Sequence, residues 1–567
     1  MLNRIYFILV FSVCFIVLVC IYPFTLVGGD EGLYAQRAML LGKGMVPIAD
    51  YAARAPVLLG LLWGAVKLFG SFIFTLRLPI IILSSLTAGF IFLLGKELFN
   101  YRTGLIAGFL YGLSPFNLWS GQLIKSEITA ILFMVLSALF LIKGLKKEKR
   151  SFLVFSGVFL GLGFIERHSV LAFGLPAGLA IILWTFLGRA GDLKNKIKVI
   201  VCKAGFFGIG GIIGFLPIFL WVAYHNLGHA LKYWFGIFSL APRPPLFAVA
   251  GFFSYEMLRS WALAFIETLA TQGGLLFSGL VFFLLGFVQL IFIRCKKIGE
   301  PLMFLIFILF FGALAWHSSL TFFLGTFRPL VFLCVFIFSS VIFLFLWIYS
   351  IHKNNLREYL AMHQRESWFL IIWFGGFMLA YSLWRPGYLR EFMVVIALMT
   401  SLTLASVFWK DIRKTALCLF IIGAMGIYGT GIAWFQNPKF GGWWWTQDVI
   451  RKTTEFIKQN TFPGEEIFTA NPLPAILAGR RAFFDISPFS IYYAKDFSKS
   501  FGFYPSPEEV FERLQTDPPR YTLVDKRMEK YIFSSYSVFE DFVRENYEFM
   551  FAFGEGKGEI QIWKRKF

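Results

Sequence analysis

Two neighbouring acids, Asp30 and Glu31, follow a glycine pair at the end of the first long apolar run. Carboxylates at a membrane boundary must be hydrated, paired or functional. Placed beside a reacting hydroxyl, one of them serves as a general base. The plainer role is interfacial hydration. A second acidic position stands in Lys125-Ser126-Glu127. There Ser126 suits a helix cap and Glu127 suits the helix dipole; alternatively Glu127, with Lys125, belongs to a site. A third set is the arginines at the ends of apolar runs, Arg54, Arg77, Arg167, Arg385 and Arg390. Their forks match phosphate oxygens. Some are expected to pair with acids such as Glu166 or Glu391, others with lipid headgroups, which leaves one or two for a substrate phosphate. His225, His229 and His317 are too scattered for a metal site.

The elements that position these residues are membrane helices. Of the 567 residues, 58% are apolar. A soluble chain has no means of burying that much apolar surface, so its solvent is lipid. The net charge of +20 does not signal nucleic acid, because the basic residues lie in short runs between apolar segments. Membrane-length runs occur at about 5–27, 78–96, 103–119, 128–143, 152–165, 169–188, 199–224, 274–293, 301–319, 330–351, 368–384, 392–409 and 415–435, about thirteen spans in all. The first is too long for a signal h-region and lacks a cleavage site, so a retained helix is expected.

Orientation follows from the loops. With the N-terminus inside, every second gap is rich in Lys and Arg, as in Lys146, Lys147, Lys149 and Arg150, or Arg294, Lys296 and Lys297. These gaps satisfy the positive-inside rule. Asp30 and the tail then fall on the extracytoplasmic side. Two long outer loops are expected, at about 28–77 and 225–273. The first holds an interfacial helix from Pro56 to Gly70, and the second a stiff Pro-rich segment at 241–245.

The spans and their loops make up residues 1–435, and the remaining 436–567 reads as a small soluble α/β domain. Residues 446–460 form an amphipathic helix, 466–470 and 521–525 strands, 538–547 a helix, and 549–553 with 559–563 a hairpin. This domain has no P-loop, GxGxxG or nucleophile motif and is assigned no chemistry of its own. The six cysteines form no CxxC pair, which argues against a zinc-cysteine site and a disulfide framework.

In order along the chain, these features resemble the GT-C glycosyltransferases, in particular the protein O-mannosyltransferases and lipid A aminoarabinose transferases. The family's Asp-Glu-x-x-Tyr is matched by Asp30, Glu31 and Tyr34, and its aromatic/basic/Pro segment loosely by Tyr51, Arg54 and Pro56. The Arg-Leu-Pro entry is Arg77 to Pro79, the Gly-Lys-x-Leu-Phe turn is Gly95 to Phe99, and the Ser-Pro pair is Ser114 and Pro115. Glu127 stands where the family commonly has Asp. Arg167 ends a Gly-rich span, and Arg390 precedes an aromatic in a late outer loop. The tail is similar to the C-terminal extracytoplasmic domain of bacterial and archaeal members. Three positions depart from the pattern. Ala53 replaces an acid that helps the aminoarabinose transferases hold a metal, Val57 replaces the second Pro of a pair, and Gln122 replaces an Arg.

The resemblance implies a multi-pass cell-membrane enzyme that moves a sugar from a polyprenyl-phosphate carrier to a glycolipid or protein acceptor, with inversion. It makes Asp30 the base with Glu31 beside it. Arg54, Arg167 and Arg390 become the donor-phosphate ligands, and Glu127, Tyr51 and Lys125 the second-acid or acceptor site. It implies no organic cofactor and leaves a divalent cation open. Two other readings share the helices. A transporter or flippase would be expected to show inverted repeats, and none is seen. An inactive scaffold of the same fold would keep the helices without the chemistry.

Overall fold

The computed structural model describes residues 2–51, 55–188, 192–236, 362–384, 394–395, 397–399, 401, 444–483, 506–555 and 558–566. The expected spans at 274–293, 301–319, 330–351 and 415–435 lie outside these residues. So do most of the span at 392–409, the Pro-rich segment, Ala53, Arg54, Arg385, Arg390, Glu391 and His317.

The chain opens with α1, Leu2–Ile21, an apolar helix that ends in a 3-10 turn at Tyr22–Phe24, where Pro23 supplies no amide proton. A two-residue strand β1, Val27–Gly28, leads into α2, Gly29–Gly42, and α3 follows as Pro56–Phe69. The expected interfacial helix is α3, with its apolar face against the fold. Next come α4, Ile73–Leu98, and α5, Tyr101–Gly112. The expected span at 103–119 is broken: α5 stops and a separate short helix α6, Pro115–Ser120, begins after Ser114. Ser114 caps α6 through the Asn117 amide, and Pro115 holds its first helical position.

Helices α7, Ser126–Lys147, α8, Arg150–Glu166, α9, Gly174–Gly188, α10, Leu193–Leu231, and α11, Gln364–Trp384, complete the described apolar part. Among the described residues five helical stretches are long and apolar enough to cross a membrane. In lipid a helix satisfies its own backbone, so small residues and side-chain hydrogen bonds set which helices pair. Helices α8 and α10 touch backbone to backbone. A Cβ at Gly157 would lie 1.9 Å from the Phe207 carbonyl oxygen, and one at Gly210 2.0 Å from that of Val154. Helices α7 and α8 exchange bonds through Ser137 and Ser156, each hydroxyl donating to the other's carbonyl at 2.8 Å. Helix α10 leaves helical geometry at Asn226, beside the expected start of the second outer loop, and then resumes to Leu231.

The tail supplies β2, Trp444–Trp445, α12, Gln447–Asn460, β3, Glu466–Thr469, α13, Leu473–Leu477, β4, Arg481–Ala482, α14, Pro507–Thr516, β5, Tyr521–Asp525, α15, Ser537–Asn546, β6, Tyr547–Phe553, and β7, Ile560–Arg565. Five of these strands form one sheet in the order β4-β3-β5-β7-β6. β3 runs parallel to β4 and β5, while β7 runs antiparallel to β5 and β6. Every residue of the central strand β5 is buried. Helix α12 buries Val449, Ile450, Thr453 and Ile457, one face of a helix, and Thr446 caps it.

The sheet does not stand apart from the membrane part. One apolar core runs from Leu58, Leu62 and Ile80 of α3 and α4 through Trp445 and Ile450 to Tyr521 and Ile562 of the sheet. Strand β2 pairs antiparallel with β1, matching Val27 to Trp445 and Gly28 to Trp444.

Candidate active site

The site is built on the first turn of α2. Gly28 is extended and Asp30 and Glu31 occupy the first turn, where acids favour the helix dipole. Glu31 is the third helical residue, so its carboxylate reaches back to the Gly28 amide at 2.7 Å. Arg77 of α4 grips it with two forked bonds, Nε to Oε2 at 2.8 Å and Nη2 to Oε1 at 2.7 Å. Arg77 also donates to the Thr25 hydroxyl at 2.5 Å and the Leu26 carbonyl at 2.8 Å. Both side chains are fully buried. Glu31 was expected to share the catalytic role. In the structure both of its oxygens are occupied and its side chain is fully buried. Arg77 was a phosphate candidate or a partner of Glu166 or Glu391, and it is committed to Glu31 instead.

Asp30 points the other way, because successive helical residues diverge by about 100°. Its side chain is 48% exposed. One turn on lies Tyr34, whose hydroxyl donates to the Ser126 hydroxyl at 3.1 Å. Burial, with the nearby Glu127 carboxylate, raises the pKa of the Tyr34 phenol. Ser126 was expected to cap α7. Lys125 is the capping position instead, without a side-chain cap bond, and Ser126 is the first helical residue. Glu127 of that first turn pairs with Arg167 at 2.7 Å, with both side chains mostly buried. Asp30 and Tyr34 share a face of α2, and Tyr34 ties that helix to the first turn of α7, where Glu127 pairs with Arg167.

The remaining candidates are placed differently. Lys125 is half-buried at the start of α7. Tyr51 is buried and its hydroxyl donates to the Arg37 carbonyl at 2.9 Å, so it packs the loop between α2 and α3. Glu166 caps α3 from outside, accepting the Val57 and Leu58 amides at 2.8 and 3.2 Å. His225 lies against the Trp221 carbonyl, and the His229 ring stands 3.0 Å from the Ala49 carbonyl oxygen. Among the described residues no three His, Cys, Asp or Glu come together to ligate a metal.

The tail contributes residues that sequence reasoning did not assign. Arg527, only 5% exposed, lies with its Nη2 3.6 Å from Asp30 Oδ1. Its Nη1 donates to the Gly29 carbonyl at 2.8 Å, and its guanidinium stands 5.8 Å over the Trp445 ring. Asp525, at the end of β5, orders the turn that follows it by accepting the Arg527 and Met528 amides at 3.0 and 2.9 Å. Burial pushes the Asp525 carboxyl up to about 6, against the pull of the Met528 amide and the Arg527 charge and amide. Gln447 donates to the Tyr22 and Thr25 carbonyls at 2.6 and 3.1 Å. The glycines of the motif make room for this docking. A Cβ at Gly29 would lie 1.8 Å from Arg527 Cζ, and one at Gly32 2.8 Å from Asn471 Oδ1. The only sequence signal was the charged run Asp525-Lys526-Arg527 closing a buried strand.

Comparison with known proteins follows the same geometry. Residues 53–221 match the family model described as dolichyl-phosphate-mannose-protein mannosyltransferase. That stretch holds Arg77, Glu127 and Arg167 but not Asp30 or the tail. No curated protein matches the sequence at a significant level. Among solved structures, ArnT from Cupriavidus metallidurans in the apo state is similar at 13% identity and a TM-score of 0.56, over 99% of this chain and 98% of that one. The same protein bound to undecaprenyl phosphate matches at 13% identity and a TM-score of 0.56, over 98% and 97%. The Archaeoglobus fulgidus oligosaccharyltransferase, in complex with Zn and sulfate, aligns at 16% identity and a TM-score of 0.48, over 96% of this chain and 72% of that one. Residues 53–221 are thus similar to that mannosyltransferase family, and along nearly the whole chain the fold is similar to that of ArnT.

Proposed function

We propose that the chain transfers a sugar from a polyprenyl-phosphate carrier to a glycolipid or protein acceptor at the extracytoplasmic face, with Asp30 as general base. The observation that carries this reading is the division between the two acids: Glu31 is locked inside the fold, while Asp30 stands half-exposed one turn before Tyr34, whose hydroxyl reaches Ser126 next to Glu127. The matched family is described by a dolichyl-phosphate sugar, and ArnT, which shares the fold, has been solved with undecaprenyl phosphate. The charge pattern of the loops supports the extracytoplasmic placement.

In the proposed step an acceptor hydroxyl attacks the anomeric carbon. Its proton passes to Asp30. The carbon–oxygen bond to the carrier phosphate breaks, and the phosphate leaves with the electron pair. One displacement inverts the anomeric configuration. Cationic groups stabilise the charge growing on the phosphate. Arg167, which pairs with Glu127, is one candidate, and Arg54 and Arg390 are candidates from the sequence. A divalent cation bound at the same site is compatible with this step, which is written with protein groups alone.

The test is Asp30→Asn in the purified full chain. Transfer from a polyprenyl-phosphate sugar is expected to fall by about a hundred- to ten-thousand-fold. Donor binding is expected to stay within about two-fold, because the asparagine keeps the size and removes only the proton acceptor. Near-wild-type transfer would remove Asp30 from the chemistry and leave Glu127 as the acid to examine. Efficient transfer from a nucleotide sugar without any lipid carrier would overturn the donor class.

A further inference from the structure

One buried cation of the tail, Arg527, reaches the acid motif. Arg527 leaves the end of the central strand β5, in a turn ordered by Asp525. Its guanidinium lies over Trp445, the residue paired with Val27 one step before the motif. One nitrogen donates to the Gly29 carbonyl, on the first residue of α2, and another stands 3.6 Å from the Asp30 carboxylate. At that distance the second contact is an ion pair rather than a hydrogen bond, so Arg527 orients the carboxylate without tying up its accepting oxygens. Gly29 has no side chain where the guanidinium lies, and any Cβ would collide with it.

We propose that Arg527 is a positioning residue for Asp30, so that the base is aimed at the acceptor only when the C-terminal domain is seated on α2. The inference rests on the reading of Asp30 as the base. The domain without a catalytic motif of its own thereby completes the active site. It does so by fixing both the backbone and the charge of the residue that takes the proton. A seated domain also excludes an arrangement in which Asp30 swings freely, and a reacting group misplaced by about 1 Å can cost about a hundred-fold in rate.

The experiment uses the full chain with a polyprenyl-phosphate sugar and separates kcat from the donor KM. Wild-type transfer and its loss in Asp30→Asn report on the proposed function. The Arg527 series, read relative to wild type, reports on this inference. Arg527→Ala is expected to lower kcat by about ten- to a hundred-fold with donor KM within about two-fold. Added guanidinium should restore part of the lost rate, and Arg527→Lys should lose less than Arg527→Ala. Gly29→Ala is expected to lower kcat in the same way by displacing the guanidinium. The double variant Arg527→Ala/Gly29→Ala should be no worse than the poorer single variant, because both remove one contact. If Arg527→Ala does not fold, Gly29→Ala and Arg527→Lys carry the same comparison. A folded Arg527→Ala with wild-type kcat overturns the inference. So does a loss that guanidinium does not restore and that multiplies with the loss in Gly29→Ala.

Discussion

Asp30 and Glu31 are neighbours in sequence and each faces an arginine, yet the two pairs lie in opposite surroundings. Glu31–Arg77 is a forked pair sealed between α2 and α4, with every oxygen of the acid engaged. Asp30–Arg527 is a looser contact at 3.6 Å across the junction with the tail, with half of the acid open. The first pair fixes where α2 begins, and the second leaves a carboxylate able to exchange a proton. The same residue chemistry gives a latch when sealed and, on the proposed reading, a base when half-open, because a buried carboxylate with a full set of partners has no capacity left for a substrate.

The strongest way to break the comparison is Glu31→Gln. It leaves Arg77 buried without its counter-charge, which costs about 3–5 kcal/mol. Purified Glu31→Gln should melt well below wild type, while each folded molecule loses less transfer than Asp30→Asn. Asp30→Asn should melt with wild type and lose transfer. Identical melting of the two variants would erase the distinction.

A smaller effect concerns pH and the turn that carries Arg527. Burial lifts the Asp525 carboxyl from 3.8 to about 6. Below pH 3.8 the group is protonated both folded and unfolded. Between pH 3.8 and 6 the folded chain keeps a proton that the unfolded chain has lost. The stability present at low pH is therefore lost as pH rises through 6, by up to about 3 kcal/mol. Protease protection of the β5 region in the full chain should fall over that window for wild type, and that fall should be absent in Asp525→Asn. A wild-type profile flat from pH 4 to 7 would contradict the burial argument.

The smallest expected effect is at the Glu127–Arg167 pair. Arg167→Ala should raise the donor KM by about ten-fold, or about 1.4 kcal/mol, as expected of a phosphate contact. An unchanged donor KM would move the phosphate away from Arg167 and sharpen the case for Arg54 and Arg390.

Much of this architecture was legible in the residue pattern. Apolar runs of spanning length place α4, α7 to α9 and α11 within about five residues, while the first run continues past the end of α1 and α10 extends beyond its run at both ends. The amphipathic spacing of 446–460 and the alternation at 549–553 and 559–563 give α12, β6 and β7, since one face of each must be buried. The break between α5 and α6 was visible only as Ser114-Pro115, which hydropathy alone does not register. Asp30 and Glu31 were recognisable as a pair, and their divergence followed from helix geometry.

The partner of each charged residue was a different matter. Arg77 pairs with Glu31, and Glu166 accepts instead from the amides of α3. The two-residue strands β1 and β2 carry no periodic signal, and more than 400 residues separate them. Arg527 meets Asp30 across nearly the whole length of the chain. By itself the sequence determined which of the described segments are long apolar helices and which acids stand at their ends, because those follow from local period and composition. Only the tertiary structure decided which acid is sealed and which stays open, because that depends on which distant side chain the folded core delivers to within a few ångströms.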